Sequence, residues 1–176
     1  MIATNIAGAA VSMAEAQAYA RVETGEEEAL LAGLVRTASA LCESFVGQVL
    51  IARQFEETLP ATGAWQRLSL TPVRTIDSVS MLAADGSSGA LATGEYEVDI
   101  DSRGDGWVRA LAVRDGRLVV TGMVGLAIDP NGVPEPLRQG ILRLIAHLFA
   151  TRDGNGGEPP AAVTALWRPY RRMRLA

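Results

Sequence analysis

Lysine is absent from this chain, and all sixteen of its basic residues are arginine. That excludes a Schiff-base lysine and the lysine of a phosphate-binding loop. Histidine occurs once, at His147, and cysteine once, at Cys42. A single cysteine excludes an intrachain disulfide framework and a cysteine-built zinc site. The uncharged run Met1–Ala14 has no basic flank, contains Asn5 and Gly8, and is too short to span a bilayer. Neither a signal peptide nor a membrane helix is expected, and the default is synthesis in a reducing, intracellular compartment. Acids are missing from one place in particular. All twenty Asp and Glu lie at or before Glu158, against twelve arginines there, a net of −8; four arginines and no acid follow.

What is present is a chain of 176 residues, 48% apolar, long enough to bury a core and short enough for one domain. Its end, Trp167-Arg168-Pro169-Tyr170-Arg171-Arg172-Met173-Arg174-Leu175-Ala176, sets four arginines among two large aromatics on an otherwise acidic protein. That pattern reads as a docking arm. Trp167 and Tyr170 are the expected anchors, and Arg168, Arg171, Arg172 and Arg174 the groups that meet acids on a partner. The competing reading is a final helix that packs Leu166, Trp167 and Tyr170 on its own core and leaves the arginines in water.

Helix signals open the chain. Ser12-Met13-Ala14-Glu15 has capping-box spacing, predicting a short helix over Met13–Arg21. Thr24-Gly25-Glu26-Glu27 repeats the signal. The helix after it runs to Val46 with Leu30, Leu34, Val35, Leu41, Cys42 and Phe45 at three- and four-residue steps, and Gly47 as its stop. At 1.5 Å per residue it is ~30 Å long. Strand-like runs follow at 49–59, 65–70, 76–83, 96–100, 107–113 and 117–121. Asp85–Gly89 reads as a loop and Asp115-Gly116 as a hairpin turn. From Pro134 to Arg152 a helix carries the wide apolar stripe Leu137, Ile141, Leu144, Ile145 and Leu148. Its width suggests burial against more than one element, with a neighbouring subunit as a candidate. Asp153–Pro160 is a Gly/Pro loop, and Ala161–Arg168 a last short helix.

The expected architecture is α+β: an N-terminal helical pair (12–46), an antiparallel β insert (49–124), C-terminal helices (134–168) and an extended arm (167–176). One domain over 1–176 is the simplest organisation.

Catalytic constellations do not assemble. Asp99-Ile100-Asp101-Ser102-Arg103-Gly104 opens like a calcium loop, but Arg103 and Ala110 stand where oxygen ligands are needed. His147 lies one turn beyond Arg143 without a nucleophile motif, and no Gly-x-Ser-x-Gly occurs. Gly154-Asn155-Gly156-Gly157 follows a helix, where a phosphate loop follows a strand. Glu26, Glu27 and Glu28 suit a solvated first turn better than an acidic catalytic cluster. No catalytic, cofactor-binding or metal-binding residue is assigned. The alternatives are a small ligand- or metal-binding enzyme using the β insert and its Asp99/Asp101/Asp105 loop, or a nucleic-acid accessory protein using the basic tail.

Several segments together resemble the head–tail connector (head-completion adaptor) family of long-tailed phages, prophages and gene transfer agents. They are Ala14–Val22, Phe45–Ile51, Tyr96–Asp99, Val133–Leu142 and Ala165–Arg171, in order along nearly the whole chain. The resemblance implies a structural, non-enzymatic protein without cofactors, placed in the neck of a virion or phage-like particle. It implies a ring of twelve subunits below the portal protein and above a stopper or tail-terminator protein. DNA passes through its lumen without sequence-specific binding. The resemblance also sets the C-terminal segment against the portal, a role for Trp167, Pro169, Tyr170, Arg171, Arg172 and Arg174. An acidic ring suits a DNA conduit, because an anionic lumen repels phosphate.

Overall fold

The computed structural model describes residues 9–22, 27–112, 115–151 and 160–172. The Thr24 start signal, most of the Asp153–Pro160 loop, and Met173 and Arg174 lie outside them. Among the described residues four α-helices and seven strands form two compact units, Met1–Ile51 with Leu126–Ala176, and Ala52–Gly125. The α+β class and the segment order agree with the pattern expected from sequence.

The first unit holds α1 (Met13–Ala20), α2 (Glu28–Val46), α3 (Glu135–Ala150) and α4 (Ala161–Trp167). Short 3-10 turns stand at Pro130–Gly132 and Arg168–Tyr170. The capping box forms: Ser12 Oγ accepts from the Glu15 amide at 3.2 Å, and Glu15 Oε2 accepts from the Ser12 amide at 2.8 Å. Gly47 ends α2 in the left-handed region at φ 68°, where a side chain would be strained. One face of α2 buries Leu31, Val35, Ala38, Cys42 and Val46. Burial pushes the Cys42 thiol up to about 12, with the Glu43 charge adding to the shift, as suits a core filler and not a nucleophile.

The α3 stripe is explained within the chain. α3 packs on α1, α2 and α4, and Leu137, Ile141, Leu144 and Ile145 are buried among them. Each such side chain contributes roughly 1.5–3 kcal/mol of burial, and none of that surface is left for a neighbouring subunit. Of the expected subunit contacts only Leu148 stays half-buried. A wide stripe marks several partners, and here all of them belong to the same chain.

The second unit is a pair of antiparallel sheets. β1 (Arg53–Pro60), β7 (Arg117–Val124), β3 (Val73–Leu82) and β4 (Ser88–Ala90) form one, in that spatial order. β2 (Gln66–Arg67), β6 (Gly106–Ala110) and β5 (Tyr96–Ile100) form the other. Leu118, Val120 and Val124 alternate inward along β7, and Val108 and Ala110 along β6. Gly122 is required there: a Cβ would overlap the Thr75 carbonyl and reach within 2.9 Å of the Phe55 ring. That crowding coincides with two register shifts between β3 and β7.

Two local expectations change. Asp115-Gly116 does not join hairpin partners, because β6 pairs with β5 while β7 is held between β1 and β3. The Asp85–Gly89 loop is partly strand: Ser88–Ala90 pairs with Ser80–Leu82, leaving Ala83–Ser87 as the turn.

Candidate docking interface

The C-terminal segment is built from α3 outward. Gly140 leaves a gap on α3 that the Trp167 indole fills, and a Cβ on Gly140 would overlap that ring. The indole Nε1 donates to the Leu137 carbonyl at 3.2 Å, so the buried polar handle is satisfied. Phe45 of α2 tilts against the same ring, with centroids 5.8 Å apart. Trp167 is therefore core, and an arm with its indole as an outward anchor does not begin at 167. The reading of a final helix that packs on its own body describes this residue.

Beyond Trp167 the chain stays tied down as far as it is described. Arg168–Tyr170 forms a 3-10 turn carrying Pro169. The Gln48 side chain donates to the Tyr170 carbonyl at 2.7 Å, and the Arg172 amide donates to the Val46 carbonyl at 2.8 Å. The second bond satisfies a carbonyl that the end of α2 would otherwise leave open. Arg171 lies over the Phe45 ring at 5.6 Å, within cation–π range. Arg168, Pro169 and Arg171 are exposed, while Tyr170 and Arg172 are half-buried. The extended arm expected from sequence is thus a docked, basic turn through Arg172. Arg174 lies outside the described residues.

The other candidates resolve one by one. Asp101 Oδ1 accepts from the Arg103 amide at 2.8 Å and the Asp105 amide at 3.0 Å. Those bonds, led by the one from Asp105, hold its carboxyl below the usual range. Its oxygens close the turn between β5 and β6. Thr71 Oγ1 lies 3.1 Å from Asp105 Oδ1, and Arg67 faces the same carboxylate at 3.8 Å. His147 is half-buried in the last turn of α3, where Thr151 Oγ1 donates to its backbone carbonyl at 2.8 Å. Glu28 is exposed in the first turn of α2, and Glu26 lies outside the described residues. Gly86 and Ser87 belong to the turn between β3 and β4, which Asp85 closes by accepting from the Ser87 amide and hydroxyl. Gly154–Gly157 lies outside the described residues.

Two further exposed surfaces stand out. One is the outward side of α2, where Leu30 and Leu41, which the sequence pattern groups with the helix's apolar positions, are 43% and 47% exposed, away from the buried face. The other is a face of the three-stranded sheet bearing Trp65 and Trp107. Two of only three tryptophans beside short strands were the available signal.

No family model and no curated protein matches the chain. Solved structures do. A chain in the neck of an empty gene transfer agent (GTA) particle, computed with C6 symmetry, superposes with a TM-score of 0.79 at 27% identity. The match covers 98% of this chain and 95% of that one. A chain in the virion of a native GTA particle gives 0.76 at 26%, covering 98% and 95%. A chain in the neck of a native GTA particle computed with C12 symmetry gives 0.72 at 24%, covering 100% and 98%, a likeness of fold. Over nearly its whole length this chain is similar in fold to chains of gene transfer agent particles and their necks, and its ordered segments resemble the head–tail connector family in sequence.

Proposed function

We propose that the chain is a structural adaptor in the neck of a GTA-like particle, forming a homo-oligomeric ring and having no catalytic role. The observation that carries this reading is the near end-to-end likeness to neck chains in particles solved with sixfold and twelvefold symmetry. A twelve-subunit ring below the portal and above a stopper or tail-terminator protein is the arrangement the family resemblance implies. The two units then serve as one adaptor module. The net charge of −4 suits a conduit past which DNA slides without adhering.

The docking element for the portal is the basic turn at Arg168–Arg172, with Trp167 setting its position from inside. The backbone of this turn is already held by hydrogen bonds at Tyr170 and Arg172, so pairing its arginines with acids on a partner costs little backbone ordering, and arginine is enriched among interface hot spots. Alanine at both Arg168 and Arg171 tests this in a pull-down with the cognate portal protein. Binding is expected to weaken at least about tenfold, roughly 1.4 kcal/mol. Unchanged binding of the folded double variant would contradict the assignment.

A further inference from the structure

A closed ring joins each copy to the next through two unlike surfaces, and two unlike exposed surfaces are present. The first is the outward side of α2. Opposite its buried stripe the helix presents Leu30, Gly33, Thr37, Ala40 and Leu41, with Arg36 the charged residue at its centre. The helix has a mean hydropathy of 1.4 over its most apolar window, yet only a third of that window is buried. Gly33 is not demanded by its own fold, since a Cβ there meets nothing within 4 Å. Glycine weakens a helix interior, and the bare backbone at Gly33 leaves this side of the helix open to close approach.

The second surface is the outward face of the β2–β6–β5 sheet. Cross-strand register puts Asp99 opposite Trp107, and Glu97 opposite Arg109. The Arg109 guanidinium lies 4.8 Å over Trp65, while its Nε donates to Glu97 Oε2 at 2.6 Å. Arg109 is thereby neutralised and braces Trp65, which is 41% exposed. Trp65, Trp107 and Asp99 border an open hollow of about 300 Å³. Asp99 is exposed and makes no ion pair among the described residues; the same holds for Arg36 on α2.

We infer that the outward side of α2 in one copy seats on the Trp65–Trp107 face of the next copy, with Arg36 of the first facing Asp99 of the second. The helix offers the small residues Gly33, Thr37 and Ala40 between Leu30 and Leu41, and the sheet face offers the exposed Trp65 beside the half-buried Trp107. Arg36 is the charged residue at the centre of the helix side, and Asp99 is an exposed carboxylate on the sheet side that pairs neither with Arg109, held by Glu97, nor with Arg67, which is in register with Trp107 and faces Asp105. This inference rests on the ring reading above.

The test uses assembled particles in which Leu41 is replaced by the photocrosslinker p-benzoylphenylalanine. Irradiation is expected to give a ladder of crosslinked copies of this chain, with mass spectrometry placing the attachment near Trp65 or Trp107. Crosslinks to a different protein, to lipid, or to another surface of this chain would overturn the inference while leaving the ring reading intact. Absence of the chain from purified particles would overturn both. A charge exchange supplies the second arm. Arg36→Glu and Asp99→Arg should each reduce the ladder severalfold, and together restore it. A double variant no better than either single one contradicts the pairing.

Discussion

Gly140 and Trp167 form a matched pair, a missing side chain on α3 and the indole that occupies its place. Gly140→Ala forces a methyl into that ring, and overpacking of this kind costs about 1–3 kcal/mol. Trp167→Ala opens a cavity instead and should cost about 3–5 kcal/mol. Chemical denaturation of the isolated chain measures both. A Trp167→Ala protein as stable as wild type would mean that the indole is not core. Cys42 provides an independent residue-scale test. With its thiol at about 12, only on the order of one part in ten thousand is thiolate at pH 8. A disulfide reagent should leave the native protein unmodified at pH 8 and label it rapidly once denatured. Rapid labelling of the native chain would contradict the burial.

At the scale of elements, the α1–α3 contact turns on Arg138, which bonds Glu15 of α1 and, at 3.1 Å, Glu135 of its own helix. The Arg138 side chain is largely buried. Arg138→Ala should lower stability by about 1–3 kcal/mol, because Arg138 makes hydrogen bonds to charged groups and shields a partly buried carboxylate. Glu15→Ala added to it should cost less than the sum of the separate changes; full additivity in a double-mutant cycle would deny the coupling. The elements themselves were largely legible in sequence. Capping residues, the Gly47 stop and 3.6-residue periodicity are local signals, and the four helices follow them. Strand pairing was not legible, because register and sheet order depend on distant partners: β7 finds both its neighbours, β1 and β3, far from Asp115-Gly116 in sequence. The role of the α3 stripe misled for a related reason. Periodicity reports that a face is buried but not by what, and Leu137, Ile141, Leu144 and Ile145 are covered by helices of the same chain. Composition likewise marked the C-terminal turn as unusual without showing that Trp167 faces inward.

For the whole molecule, truncation separates folding from docking. Removing residues 167–176 deletes core and should destabilise the body, whereas ending the chain after Arg172 keeps Trp167 and the Arg172–Val46 hydrogen bond. The shorter deletion should therefore melt close to wild type; a large drop would show that the last four residues support the fold. Electrostatics at this scale also predicts negligible affinity for duplex DNA at physiological salt, since the net charge is −4 and the basic turn offers few cations. Strong, salt-sensitive binding would favour a nucleic-acid role for the tail. Imaging intact particles and tracing this chain in the density decides whether it is a ring-forming neck adaptor. The expected density is a closed ring of copies in the neck, coaxial with the channel, with the Arg168–Arg172 turn against the portal. Density accounted for without this chain, or its presence anywhere other than the neck, would contradict that role.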